Sequence, residues 1–359
     1  MNLPSRVSLL IAALLLRPSG LHAAAGTEAA AFLDIPVGAG PAAMGSAYTA
    51  LANDAYASVY NPAGLGFLPE TQVAAQHLSY LESISYEYAS AAFLLKEGHA
   101  IEASAQYLGS GNIPGADLYG NALGSYSSYY GSYNLAYGQA LGEKLSLGIT
   151  GKVINATISN VSATAYAADA GALYKVNDRL NLAATVQNLG TQLKFINDDN
   201  TLPVEGHLAV AYEPDHHFLL SLEGVFPRSG PAGAHMGVEW RPLEMIAIRA
   251  GYRTDTTTGL SPIAGMSAGL GLKLWGQEFA YAWVPYGDLG DTQYFSLLLR
   301  FGGNETEKKN MIHAEDIKRH RAVDSEKEDP ETQQFMQLLN SGDEHTAQKP
   351  DSPGQELAR

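Results

Sequence analysis

The chain has no cysteine, few charges, an excess of acid over base, and no long apolar run past its first two dozen residues. Without cysteine there is no disulfide and no anchoring through a lipidated N-terminal cysteine. Charged residues make up 16% of the 359 positions, against roughly 25% in soluble domains. The formal net charge of -15 removes electrostatic support for nucleic-acid binding, which depends on neutralising phosphates. After the N-terminal segment no stretch of about 18 apolar residues occurs, so no transmembrane helix is predicted. What the chain has in abundance is glycine (37) and tyrosine (20).

The first 25 residues read as a secretory signal. Arg6 supplies positive charge, Val7–Leu16 form an apolar run, and Ala23-Ala24-Ala25 offers a cleavage site, although Arg17 interrupts the approach to it. The run is too short to span a bilayer. An exported chain without helical anchors is periplasmic, secreted or an outer-membrane barrel.

From residue 71 the periodicity becomes that of strands. Fourteen are predicted: 71-81, 86-95, 98-108, 128-140, 143-155, 164-175, 178-190, 205-213, 216-226, 233-242, 245-253, 266-275, 277-285 and 292-301. Most have the roughly 9–11 residues that a tilted strand needs to cross a membrane. In the last, Phe295, Leu297, Leu299 and Phe301 oppose Tyr294, Ser296, Leu298 and Arg300. In 143-155, Leu145, Leu147, Ile149 and Val153 oppose Ser146, Thr150 and Lys152. One face is apolar, and the other is small or polar with isolated charges.

Connections after even-numbered strands are short, such as Lys96-Glu97, Leu141-Gly142 and Leu243-Glu244. After odd-numbered strands most are longer: 109-127, 156-163, 191-204 and 254-265. Outer-membrane barrels show this asymmetry, with short turns on the periplasmic side. An even strand count then places both termini in the periplasm. Tyr126, Tyr129, Tyr130, Trp240, Trp275, Trp283 and Tyr286 fall near strand ends, as aromatic girdles do. Alternation is also the mark of soluble sheets, so a β-sandwich stays open on this criterion. Residues 303-359 are charged, with an acidic run from Asp324 to Glu331 and a helix start at Asp329-Pro330. They read as a largely disordered periplasmic tail.

Before the strands, residues 38–68 are rich in Ala and Gly and read as helix, with Pro41 near the start of one piece and Asn61-Pro62 ending another. The sequence GPAAMGSAYTALANDAYASVYNPAGL, placed between a signal peptide and a run of strands, resembles the PorV/PorQ family of the wider FadL-like group. The resemblance is sharpest over 32-68. It implies an all-β, 14-stranded antiparallel transmembrane barrel (71-302) whose N-terminal helical segment (26-70) folds into the lumen as a plug or hatch. Asn61, Pro62, Ala63, Gly64, Asp54 and Gly45 are its candidate residues. Gly40, Gly45, Gly64 and Gly66 would allow close backbone approach. Buried Asp54 and Asn53 would need partners, for which inward-facing Glu102, Lys152, Glu223, Glu239, Arg249, Glu278 and Arg300 are candidates. These charges are expected to form lumen networks with no part in chemistry.

Other motifs weaken on inspection. Gly38, Gly40 and Ala43 have the spacing of a dinucleotide loop, but no βαβ unit follows. Gly265-Met266-Ser267-Ala268-Gly269 matches a nucleophile elbow yet leads into a strand. His216 and His217 are adjacent on a strand and point to opposite faces. No enzyme, cofactor or metal is expected. The resemblance implies a secretion or surface-assembly component that sits in outer-membrane lipid and binds exported proteins or partner subunits. The alternative is a FadL-type passive transporter of long-chain fatty acids or other hydrophobic compounds, which should hold an apolar pocket under the longest loop. Residues 109-127 offer only Ile113, Leu118, Tyr119, Leu123 and Tyr126 for that purpose, which tilts the sequence reading toward the secretion component.

Overall fold

The computed structural model describes residues 28–81, 84–196, 198–257 and 261–302. The expected signal peptide and the charged tail with its helix start lie outside the described residues.

Fourteen strands form a closed antiparallel barrel. They are β1 Thr71–Ser79, β2 Ser85–Lys96, β3 His99–Gly109, β4 Ser128–Leu141, β5 Leu145–Ile158, β6 Val161–Asn177 and β7 Leu180–Gly190. The second half comprises β8 Glu205–Asp215, β9 Phe218–Pro227, β10 Gly233–Leu243, β11 Ile246–Arg253, β12 Met266–Leu274, β13 Gln277–Pro285 and β14 Asp291–Phe301. Each pairs with its sequence neighbours, and β1 closes on β14 from Thr71↔Phe301 to Ser79↔Gln293. All fourteen expected strands are present.

Exposure follows the alternation and excludes a soluble sandwich. The large apolar side chains are on the exposed face, among them Leu135, Ile149, Leu270, Phe279 and Leu297. The buried face carries Gln72, Gln76, Glu102, Ser146, Thr150, Lys152 and Ser296. A wall that is apolar outside and polar inside suits hydrocarbon around it, and closure leaves no unpaired edge in that hydrocarbon.

The expected loop 156-163 is not a loop. β5 and β6 stay paired to Ile158↔Val161, and only Ser159 and Asn160 form the turn. Ser159 takes a left-handed φ of 57° there. The inward phase runs on through Ile154, Ala156, Ala163 and Ala165, while the outward residues become Asn155, Thr157, Ser162 and Thr164. The strands outrun the apolar belt, and that loss of outward hydrophobicity looks like a loop in sequence. Of the expected girdle, Tyr126, Tyr129, Trp240 and Trp275 are exposed. Tyr130 instead packs inward on Phe32, with ring centroids 5.7 Å apart, and Tyr286 packs on Tyr80 at 5.9 Å.

The segment before β1 is mostly irregular. It contains a 3-10 turn Ala31–Asp34, helix α1 Ala39–Ala43, helix α2 Ala57–Tyr60 and a 3-10 stretch Pro62–Phe67. The helix expected from Pro41 to Ala52 is therefore far shorter. Gly45 (φ 61°) and Ser46 (φ 60°) are both left-handed, and two such residues in succession end a right-handed helix. The segment begins at the long-connection end, where Glu28 bridges Thr201. It reaches β1 at the short-turn end, the end at which Phe301 also finishes. Helix α1 contacts β11–β14, and Pro62–Phe67 contact β3–β6. A segment that touches opposite arcs of a closed wall lies on its inner side.

Candidate functional site: the barrel interior

An irregular segment leaves backbone groups without helical or sheet partners, and buried groups of this kind need other partners. The wall supplies them from the polar phase of its strands. From the segment, Ala39 N donates to Ser296 Oγ (3.1 Å), Gly45 N to Ser267 Oγ (3.1 Å) and Thr49 N to Glu223 Oε2 (3.1 Å). Ala55 N donates to Gln72 Oε1 (3.2 Å), Ser58 N to Glu102 Oε2 (3.0 Å), and Gly38 N to Gln76. In the other direction Ser146 Oγ donates to Ala63 O (2.6 Å), Thr150 Oγ1 to Ser58 O (3.1 Å) and Gln187 Nε2 to Tyr60 O (2.8 Å). Ser146, Thr150 and Ser296 belong to the polar faces read from the sequence, whereas the amides Gln72, Gln76 and Gln187 were not singled out there. Their signal was phase, since Gln72 and Gln76 share the inward face of β1.

Asn61 is fully buried. Its side chain caps the Pro62–Phe67 turn by accepting from Ala63 N (3.0 Å), with Pro62 in the first turn, where a missing N–H costs nothing. Its amide donates to Thr49 O (2.9 Å). A methyl group at Gly45 would stand 2.7 Å from Tyr252 N and 2.9 Å from Met236 O, and one at Gly64 would overlap the Ala52 carbonyl. The wall answers with glycines of its own. Gly148 and Gly171 abut Pro62 and Asn61, and Gly237 and Gly251 abut Met44 and Gly45.

The seven expected interior charges divide into separate groups. Glu239, Arg249, Glu278 and Arg300 are joined: Arg249 lies 2.5 Å from Glu239 and 2.7 Å from Glu278, and Arg300 lies 3.4 Å from Glu278. Arg241 extends this chain to Glu213. With Lys273, Tyr48 and Asp54 they line a chamber of about 310 Å³ toward the short turns. Lys152 is elsewhere, paired with Asp169. Glu223 bonds His207 (2.7 Å), and Glu102 takes the hydroxyls of Ser58 (2.6 Å) and Tyr88 (3.1 Å). Asp54 does not use these charges for its hydrogen bonds. It accepts from Tyr48 Oη (2.6 Å) and Tyr56 N (3.0 Å), both within its own segment.

At the long-connection end the interior holds an apolar cluster beside buried polar groups such as the Lys152–Asp169 and His207–Glu205 pairs. Phe32 and Leu33 of the segment cluster with Leu193 and Leu202, and with Ile154, Ala165 and Ala167 of the wall, while Leu108, Tyr130 and Phe195 pack at the edge. Leu193 and Leu202 belong to the connection 191–204, which folds onto the opening and hydrogen-bonds Ala29 N through Thr201 O (2.8 Å). The longest connection does not roof the barrel. It forms a hairpin, Ile113–Ala116 with Ala122–Tyr126, and exposes Leu118, Tyr119 and Leu123. Length does not determine cover here, since the buried leucines lie in the shorter connection.

The wall is irregular beside this cluster. Ala168 pairs with Leu189 but Ala170 pairs with Val186, so β7 carries one extra residue, with Gln187 and Asn188 opposite Asp169. Asn188 takes a left-handed φ of 59° in this bulge. Its N–H donates to Asp169 Oδ1 (2.7 Å), Lys152 Nζ donates to its Oδ1 (2.8 Å), and its amide reaches Pro203 O (2.8 Å). The bulge thus ties wall to roof. On the outer surface next to it an apolar groove of about 410 Å³ is lined by Ala170, Ala184, Val186, Leu208 and Phe226.

The remaining motifs are absorbed by packing. Ser267 lies within β12 and donates to Ala43 O (2.9 Å). His217 bonds Arg241 O (2.9 Å) across a turn. Gly38–Ala43 open a five-residue helix against the wall.

No family model matches this sequence, and no curated protein matches it at the level of sequence. Solved structures do match the fold. The chain is similar to the CymD monoaromatic hydrocarbon channel at 12% identity and a TM-score of 0.55, over 75% of this chain and 99% of the other. It is similar to the Pseudomonas putida toluene transporter TodX at 12% identity and a TM-score of 0.51, over 73% and 96%. A Pseudomonas aeruginosa FadL homologue aligns over 79% and 100% at 11% identity, with a TM-score of 0.45. At these identities the likeness is one of fold. The narrower resemblance to PorV/PorQ proteins rests on the residues quoted for it.

Proposed function

We propose that the protein is a passive outer-membrane channel for small hydrophobic compounds, with the segment 28–70 as its plug and Asn61–Gly64, Gly45 and Asp54 as the residues that seat it. The observation that carries this reading is the buried apolar cluster of Phe32, Leu33, Leu193 and Leu202 at the long-connection end. An apolar compound partitions into such a site because its surface leaves water there. The hydrocarbon channels CymD and TodX have the same fold, which adds support. The long connections then face outward and the short turns face the periplasm.

Two features suggest where a bound compound goes. The short-turn end is a charged chamber, a poor medium for an apolar solute. The bulge at Asn188, which holds the Lys152–Asp169 pair on its inner side and lies between the apolar cluster within and the apolar groove outside, offers a sideways route into the membrane. The secretion-component reading keeps only the sequence resemblance it chiefly rested on. Its chemical argument, a lack of apolar groups beneath the longest connection, falls because another connection roofs the opening.

Uptake of radiolabelled toluene and of a long-chain fatty acid by cells lacking their own hydrophobic-compound channels tests the proposal. Expression of this protein is expected to raise uptake of at least one. Equal uptake with and without it, alongside stoichiometric co-purification of exported proteins, would return the secretion component to first place.

A further inference from the structure

A second groove, of about 330 Å³, lies on the outside of the barrel across β3–β6, near the long-connection end. Tyr107, Tyr129 and Tyr133 wall it on one side. Tyr107 and Tyr129 stack with centroids 6.1 Å apart and planes at 23°, and Tyr133 is 56% exposed. Gly131 leaves the dent between them, where a Cβ would meet nothing closer than 3.7 Å. The other side is polar and uncharged. Thr164 Oγ1 donates to Asn155 Oδ1 (2.9 Å), and the Thr157 and Ser162 hydroxyls are 2.9 Å apart. No charged residue lines the groove.

Its height is fixed by the wall. Along β5 the outward positions read Leu147, Ile149, Gly151, Val153, then Asn155 and Thr157. The change from apolar to polar marks the passage from hydrocarbon to headgroups. Aromatic girdles occur at this level in many barrels. This one is distinguished by a glycine-floored recess and a facing row of hydroxyl and amide groups. Aromatic faces cover the C–H faces of a sugar ring, and uncharged hydroxyl and amide groups bond its hydroxyls. A phosphate or carboxylate headgroup would find no cation here.

We propose that this groove binds the neutral sugar headgroup of a membrane glycolipid, whose acyl chains lie along Leu135, Ile149 and Val153 below it. The inference does not depend on the transport reading. A soluble saccharide shares the ring chemistry, but the apolar belt directly beneath the groove favours a ligand with a lipid tail.

The test uses full-length protein in nanodiscs of phosphatidylethanolamine and phosphatidylglycerol, with monoglucosyl diacylglycerol as probe and native mass spectrometry as readout. Wild-type barrel is expected to retain the glycolipid about tenfold better than phosphatidylglycerol, and Gly131→Leu or Tyr133→Ala to abolish that preference. Tyr133→Phe keeps the ring and should keep the preference. Heat-modifiable migration checks that each variant folds, and the two loss variants act independently. The proposal is overturned if wild type shows no preference, if both loss variants retain it, or if free methyl glucoside displaces the lipid at equal concentration.

Discussion

Lys152 Nζ lies 2.8 Å from Asp169 Oδ2 inside the wall, with the two side chains only 3% and 1% exposed. Both also bond Asn188, the residue that bulges β7. Removing one partner leaves a buried charge uncompensated, which costs about 3–5 kcal/mol, whereas replacing both with apolar groups is often close to neutral. Lys152→Met and Asp169→Leu are each expected to lower the temperature of the heat-dependent band shift markedly. The double variant should recover much of the loss. If the single substitutions leave that temperature unchanged, the pair does not hold the bulge.

The seat of the interior segment gives a second prediction. Asn61→Ala removes a cap worth about 1 kcal/mol and leaves the buried Thr49 carbonyl without its donor (2.9 Å), a further loss of about 1–3 kcal/mol. Gly64→Ala drives a methyl into the Ala52 carbonyl. Neither touches the pairing of the wall. Planar-bilayer conductance should therefore rise in both variants, more in Gly64→Ala, while heat-modifiable migration persists. A barrel of this width without its filling leaves a path for water and ions. Unchanged conductance in Gly64→Ala would mean that the segment is not what closes the lumen.

The wall was legible in the sequence because a strand has only two phases, and one of them faces hydrocarbon. Leu147, Ile149 and Val153 announce that phase, and Ser146, Thr150 and Lys152 announce the other. The interior segment was legible in composition but not in conformation. Pro41 and the alanines promised a helix, and nothing local showed that Gly45 and Ser46 would both turn left-handed against Tyr252. Charges are legible in the sequence as members of the polar phase, but their partners are set by register between distant strands. Asp169 meets Lys152 because β5 and β6 align in that register, and no spacing along the chain encodes it. The apolar opening is not legible because loop length does not set cover, whereas Leu193 and Leu202 do.

Asp255, in the connection after β11, carries a pH prediction. Burial works against its ionised form, but Arg253 (2.6 Å) and His235 (3.2 Å) outweigh this and hold the carboxyl well below the usual carboxylate range. A depressed folded pKa contributes stability that is present above the unfolded value, about 3.9, and is lost as pH falls toward the folded value. Asp255→Asn should thus be less stable than wild type at pH 7, with the gap narrowing below about pH 4. Thermal midpoints at pH 7, 4 and 3 check this. A gap that stays constant over that range would show that the carboxylate's charge is not what stabilises the connection.

The apolar opening makes the sharpest functional prediction. Leu193 (0% exposed) and Leu202 (2% exposed) are sealed into it, whereas Leu118 on the hairpin is fully exposed. A carboxylate placed at either buried position penalises an apolar ligand by several kcal/mol, and each 1.4 kcal/mol is about tenfold in affinity. Leu193→Asp and Leu202→Asp are expected to cut hydrocarbon uptake by about tenfold or more, and Leu193→Ala by less. Leu118→Ser should leave uptake unchanged, because the hairpin does not cover the lumen. The comparison separates an entry site from a docking loop. If uptake survives both aspartates but fails with Leu118→Ser, hydrophobic compounds are not received beneath the 191–204 connection, and the exposed hairpin becomes the surface that matters.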